Sequence, residues 1–112
     1  MPNKDYAETI WLPKDSQIVE GSYQIRYGSS GSYSNEMNAS TLQTVHGFAI
    51  TPSNYTYSIN PETEYTDFLI QTGLNSVSYS DNSLIYLKFK VLYPNSKTVN
   101  VVFILNTSSA PA

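Results

Sequence analysis

Residues 84–106 read LIYLKFKVLYPNSKTVNVVFILN, two alternating runs separated by a turn signal. Positions 85, 87, 89 and 91 are Ile, Leu, Phe and Val, and positions 99, 101, 103 and 105 are Val, Val, Phe and Leu. Side chains on a strand point to opposite faces with a period of two, so each run presents a four-residue apolar face. Placing both faces on one side of a hairpin puts Val91 opposite Val99, Phe89 opposite Val101, Leu87 opposite Phe103 and Ile85 opposite Leu105. A slip of one residue would bring Val91 opposite Asn100 and turn one apolar set the wrong way. The loop must therefore hold an odd number of residues centred on Pro94-Asn95-Ser96, with Pro94 suited to the first central position of a type I turn.

The same turn-punctuated, period-two pattern runs backwards through the chain. Strands are expected over roughly 7–12, 17–27 with a break at Gly21, 42–50, 54–59, 65–71, 74–79, 83–93 and 97–105. Tyr23/Ile25/Tyr27 and Tyr55/Tyr57/Ile59 alternate with polar partners, so each segment has one core face and one wet face. Asn60-Pro61-Glu62 carries a capping side chain, a proline and an acid in the order of a helix start, enough for one turn. The pattern predicts an all-β fold, an antiparallel β-sandwich, immunoglobulin-like or jelly-roll-like, of about seven to nine short strands ending in a long hairpin. One domain fits 112 residues: an N-terminal arm or edge strand over 1–16, the sandwich over 17–106 and a flexible tail over 107–112.

The run Ile59-Asn60-Pro61-Glu62-Thr63-Glu64-Tyr65-Thr66 resembles the corner before the penultimate strand of fibronectin type III and related immunoglobulin-like sandwiches. The resemblance implies a structural role for Tyr65, buried with its hydroxyl bonded back to upstream backbone.

Charged residues are 13% of the chain, about half the usual share. Asn, Ser and Thr number 10, 16 and 10, and Tyr another 10, so solubility rests on amides and hydroxyls. That composition suits a virion or an extracellular or cell-surface protein. The net charge is −3, and no Lys or Arg falls between Arg26 and Lys88. A nucleic-acid groove needs clustered cations to release counterions, so nucleic acid is not an expected partner. No segment approaches the roughly 20 apolar residues that span a bilayer, and no signal peptide is visible, so membrane insertion is not expected.

With no cysteine, the chain has neither disulfides nor thiolate metal sites. The single histidine, His46, has no nucleophile or acid at a recognisable spacing, and no phosphate loop, nucleophile elbow or metal signature is present. Glu62, Glu64 and Asp67 form the one acidic cluster, better read as a solvated corner than as a calcium site. The expectation is a non-enzymatic protein without cofactor or metal.

Contact residues are sought elsewhere. The second face of the terminal hairpin carries Tyr86, Leu92, Val102 and Ile104, too apolar for plain solvent, and the N-terminal arm carries Trp11. These five are the self-association candidates, with the arm as one cover for that face and a second copy as another. The linker-like stretch 28–40 holds Tyr33, Asn35, Glu36 and Met37, side chains for an exposed contact loop. The expected function is a structural or adhesive subunit of a larger assembly, a virus or phage surface component, with like or other structural subunits as partners. The alternative is a small carbohydrate-binding module in which Tyr33, Tyr79, Asp81 and Asn82 stack on and hydrogen-bond a glycan.

Overall fold

A computed structural model describes the backbone of residues 6–60 and 63–107 and the side chains of residues 7–52 and 64–107. The chain is mostly antiparallel β, arranged as two sheets. Among the described residues there are seven strands: β1 (Tyr6–Pro13), β2 (Gln17–Ile18), β3 (Gln24–Tyr27), β4 (Ala49–Asn60), β5 (Thr63–Thr72), β6 (Leu84–Leu92) and β7 (Thr98–Asn106). The first sheet runs β1-β5-β4, and the second places β6 between β7 on one side and β2 and β3 on the other.

The β6–β7 hairpin has the register its alternation demands: Val91 faces Val99, Phe89 faces Val101, Leu87 faces Phe103 and Ile85 faces Leu105. Ile85, Leu87, Phe89 and Val91 are fully buried, Phe103 and Leu105 nearly so. The turn closes with Ser96 N–H donating to the Tyr93 carbonyl and Tyr93 N–H donating to that of Lys97. Ser96 takes φ 70°. This is a type I turn followed by a left-handed residue, a common three-residue hairpin connection in which the left-handed residue forms a bulge.

β2 and β3 lie end to end along the same edge of β6, Gln17 and Ile18 against Leu92 and Val91, then Gln24–Tyr27 against Lys88–Ile85. Between them the chain bulges at Gly21, whose φ of 83° suits glycine. The ladder is kept by Ser22, whose hydroxyl accepts the Lys90 N–H at 3.0 Å and donates to the Val19 carbonyl at 2.6 Å.

In the first sheet β5 is central, and Ile10, Leu12, Phe68 and Ile70 point inward on alternate positions. They meet Ile25, Leu87, Phe89 and Phe103 of the second sheet in one buried cluster. β4 is an edge strand, which tolerates the missing donor of Pro52, and its register shifts between Pro52 and Thr56. β1 is the opposite edge and supplies Leu12 to the core. Thr107, assigned from sequence to the tail, is buried instead. Its hydroxyl accepts the Ser83 N–H at 2.8 Å and donates to the Ser80 carbonyl at 2.6 Å.

Two of the expected strands are largely replaced by turns. Of residues 42–50 only Ala49 and Ile50 are strand, as the start of β4, while Ala39–Thr41 make a helical turn that continues as a π turn over Leu42–His46. Asn38 caps it, its side-chain oxygen accepting the Thr41 N–H at 2.8 Å, and Gly47 ends it at φ 76°. Residues 74–79 start with a 3₁₀ turn over Leu74–Ser76, with Asn75 and Ser76 both at positive φ.

The corner resemblance also yields to the structure. β4 and β5 pair through Asn60 and Thr63 as a hairpin within one sheet, and Tyr65 is half-buried on that sheet's outer face, its ring 6.5 Å from Trp11. Residues 61 and 62 of the expected helical start, the side chains of Tyr55 and Tyr57, and positions 1–5 and 108–112 lie outside the described residues.

Candidate functional site

The outer face of the second sheet gathers the largest set of unusual side chains. Odd residues of β6 point into the core, so Leu84, Tyr86, Lys88, Lys90 and Leu92 point outward, as do Asn100, Val102 and Ile104 of β7. Register places them in rungs: Arg26, Tyr86 and Ile104 form one, Gln24, Lys88 and Val102 the next, then Lys90 and Asn100. Val102 is 46% exposed, Ile104 50% and Leu92 37%.

One end of the Arg26 rung is capped by the 28–40 segment. It is bound to the sheet and does not extend as a free loop: Ser34 N–H donates to the Ile25 carbonyl at 2.8 Å, and Ile25 N–H returns to the Ser34 hydroxyl at 3.0 Å. Tyr23 and Met37 exchange both backbone hydrogen bonds, at 3.2 and 2.8 Å. Met37 packs against the core, whereas Asn35 and Glu36 remain exposed.

This anchoring delivers Tyr33 over two cations. The Arg26 guanidinium lies 3.9 Å from the Tyr86 ring centre and 5.1 Å from that of Tyr33, and the Lys88 ammonium lies 4.6 Å from the Tyr33 ring. Each ring's negative face attracts the cation set against it. Arg26 Nη1 also donates to the Ser29 carbonyl at 3.3 Å, while its buried Nε has no hydrogen-bond partner among the described residues. Lys90 pairs with Glu36 at 3.9 Å, both half-exposed, a contact worth under about 1 kcal/mol. Three of the six Lys and Arg residues thus share one face, a grouping that spacing along the chain did not reveal.

The remaining candidates scatter. Trp11, 50% exposed, sits opposite Asp67 on the outer face of the first sheet, so β1 belongs to that sheet and does not cover the hairpin. Tyr79 is 6% exposed. Its hydroxyl accepts the Gly73 N–H at 2.9 Å and donates to the His46 carbonyl at 2.8 Å, which fixes two turns together. Tyr79 therefore cannot stack on a sugar. Asp81 and Asn82 are exposed in a turn that leads into β6, Asn82 at φ 56°. The sugar set is not assembled.

His46 lies on the π turn with its Nδ1 2.8 Å from the Tyr27 hydroxyl. Burial pushes Tyr27 up to about 12, helped by nearby Tyr79, and burial lowers His46. Both groups are thereby held neutral near pH 7, a structural hydrogen bond. Glu64 pairs with Lys14 at 3.7 Å, and Asp67 alternates to the opposite face of β5. Among the described residues no group of three His, Cys, Asp or Glu could hold a metal ion, and no helix is long and apolar enough to cross a membrane. A cleft of about 260 Å³ lies between the sheets, lined by Ser16, Ile18, Tyr23, Ile50 and Phe68.

Comparison with protein-family models, with curated proteins and with solved structures finds no match.

Proposed function

We propose that the chain is a non-enzymatic structural subunit of a larger assembly, a β-sandwich of immunoglobulin-like or jelly-roll-like kind at a virion or other extracellular surface. The observation that carries this reading is the outer face of the terminal hairpin. Leu92, Val102 and Ile104 stay between a third and a half exposed there beside Tyr86, on a regular sheet rather than a loop. Single exposed apolar residues are ordinary, but neighbouring ones on adjacent rungs form a patch of the kind that partners cover. The composition agrees: with charges at 13%, amides and hydroxyls dominate a surface that can pack against neighbours at a smaller desolvation cost than a charged one.

The glycan-binding alternative loses its main argument with Tyr79 in the core, and Tyr33 has its ring engaged by Arg26 and Lys88. Light scattering over a concentration series, together with a glycan array, separates the two. Discrete oligomers or filaments without sugar binding are the expected result, and a monomer with reproducible sugar binding would overturn the proposal.

A further inference from the structure

The sheets present four lateral edges, and three are protected. β1 carries Glu8 and ends in Pro13; β4 carries Pro52 and a register shift; the β2–β3 edge is short at β2 and lined along β3 by the 34–37 segment through Ser34 and Met37. Such devices, a charge, a proline, a bulge or a covering segment, keep edge strands from pairing with other chains. Among the described residues β7 has none of them. Thr98–Asn106 contains no charged residue, no proline and no glycine, keeps unbroken register with β6 over nine residues, and pairs with no other strand among the described residues.

The hydrogen-bond phase shows which groups that edge offers. Thr107 N–H donates to the Ser83 carbonyl and Tyr93 N–H to the Lys97 carbonyl, so odd residues of β7 bond toward β6. In an antiparallel ladder the alternate residues then aim N–H and C=O away from that partner. Asn100, Val102 and Ile104 are those residues, and Val102 and Ile104 are also the exposed apolar ones.

We infer that β7 is a self-complementary docking edge at which a second copy of this chain pairs antiparallel across a two-fold axis at Val102. The inference rests on the assembly reading and names its contact. With Val102 facing the partner's Val102, Asn100 faces the partner's Ile104, and every outward residue stays on the outward face, because this register preserves the parity that a one-residue slip destroys. The three pairs supply about six backbone hydrogen bonds. Charge favours this occupant. β7 is neutral, so pairing it with itself buries no ion, whereas a charged strand would find no counter-ion on β7. Lys88 and Lys90 stand one strand back, at least about 14 Å from their equivalents across the axis at ~4.8 Å per strand, beyond the ~8 Å screening length at physiological salt. The apolar patch of each copy becomes continuous with its neighbour's, as a closed isologous interface requires.

Because the chain has no cysteine, single replacements report cleanly. A hydrogen-bonded antiparallel pair separates Cα atoms by about 5.5 Å, within the span a disulfide bridges. Val102→Cys should therefore cross-link to a covalent dimer under mild oxidation, at a concentration where light scattering reports association and with far-UV dichroism unchanged. Val45→Cys, 57% exposed on the π turn, should stay largely uncross-linked. Asn100→Cys and Ile104→Cys should cross-link when mixed and far less when alone. Association without preferential cross-linking at Val102 would overturn the β7 contact and leave the assembly reading standing. A wild-type chain that stays monomeric at the highest concentration reached would overturn both.

Discussion

Removing one oxygen atom from Tyr79 should cost more than removing many exposed side chains. The hydroxyl accepts the Gly73 N–H at 2.9 Å and donates to the His46 carbonyl at 2.8 Å, and both turns converge on Gly47. A Cβ on Gly47 would lie 2.9 Å from that same hydroxyl oxygen and 2.8 Å from the Val77 Cβ, so the region is closely packed around the group. Tyr79→Phe keeps the ring and its edge-on contact with Phe48, centres 5.7 Å apart, but strands a buried N–H and a part-buried carbonyl. Each unsatisfied group costs about 1–3 kcal/mol, and the carbonyl regains some hydration, so the sum is about 2–4 kcal/mol. Against a typical stability of about 5–15 kcal/mol, that is a substantial fraction. At roughly 4 °C per kcal/mol for a domain of this size, the melting temperature should fall by about 8–16 °C. Calorimetry measures the drop, and amide exchange at Gly73 should accelerate ahead of the core strands. A fall below about 2 °C, with Gly73 exchange unchanged, would refute the claim that this hydroxyl fastens the two turns.

Two further outcomes follow from the same physical terms. Leu87→Asp places an unpaired charge at a fully buried position of β6 and should cost several kcal/mol or prevent folding, whereas Lys90→Asp, one strand face over, should cost less than about 1 kcal/mol; equal losses in chemical denaturation would contradict the facing of the strand. His46 is held below its ordinary 6.5 by burial, so as pH falls the unfolded chain takes up the proton first, and the stability associated with a neutral His46 is full above that value and lost as pH drops below it. Melting curves at pH 7.5 and 5 should show a smaller pH-dependent loss in His46→Gln than in wild type, and an identical loss in both would remove His46 as the cause.

The terminal hairpin was legible because its information is local: two apolar alternations and an odd loop leave one register that keeps both sets on one face, and Ile85, Leu87, Phe89 and Val91 are buried as that register requires. The break at Gly21 was legible for a similar reason, since the residue needs positive φ. Residues 42–50 misled because Leu42, His46, Phe48 and Ile50 mimic a period of two, while the opposing signals are single residues, Asn38 as a cap and Gly47 as a left-handed stop. Tyr79 looked exposed beside Asp81 and Asn82, and only the tertiary approach of the His46 and Gly73 turns gives its hydroxyl a buried use. The grouping of Tyr33, Arg26, Tyr86 and Lys88 depends on β3 pairing with β6 and on Ser34 folding back to Ile25, contacts between segments distant along the chain.

The claim that the terminal hairpin is an interface in solution meets its most direct test in residue-resolved hydrogen exchange on the wild-type chain at low and high concentration. The outward amides of Asn100, Val102 and Ile104 should exchange quickly when dilute and become protected as concentration rises, while those of Val101 and Phe103, already bonded to β6, change little. Uniformly fast exchange at the three outward amides across the whole range would contradict the account.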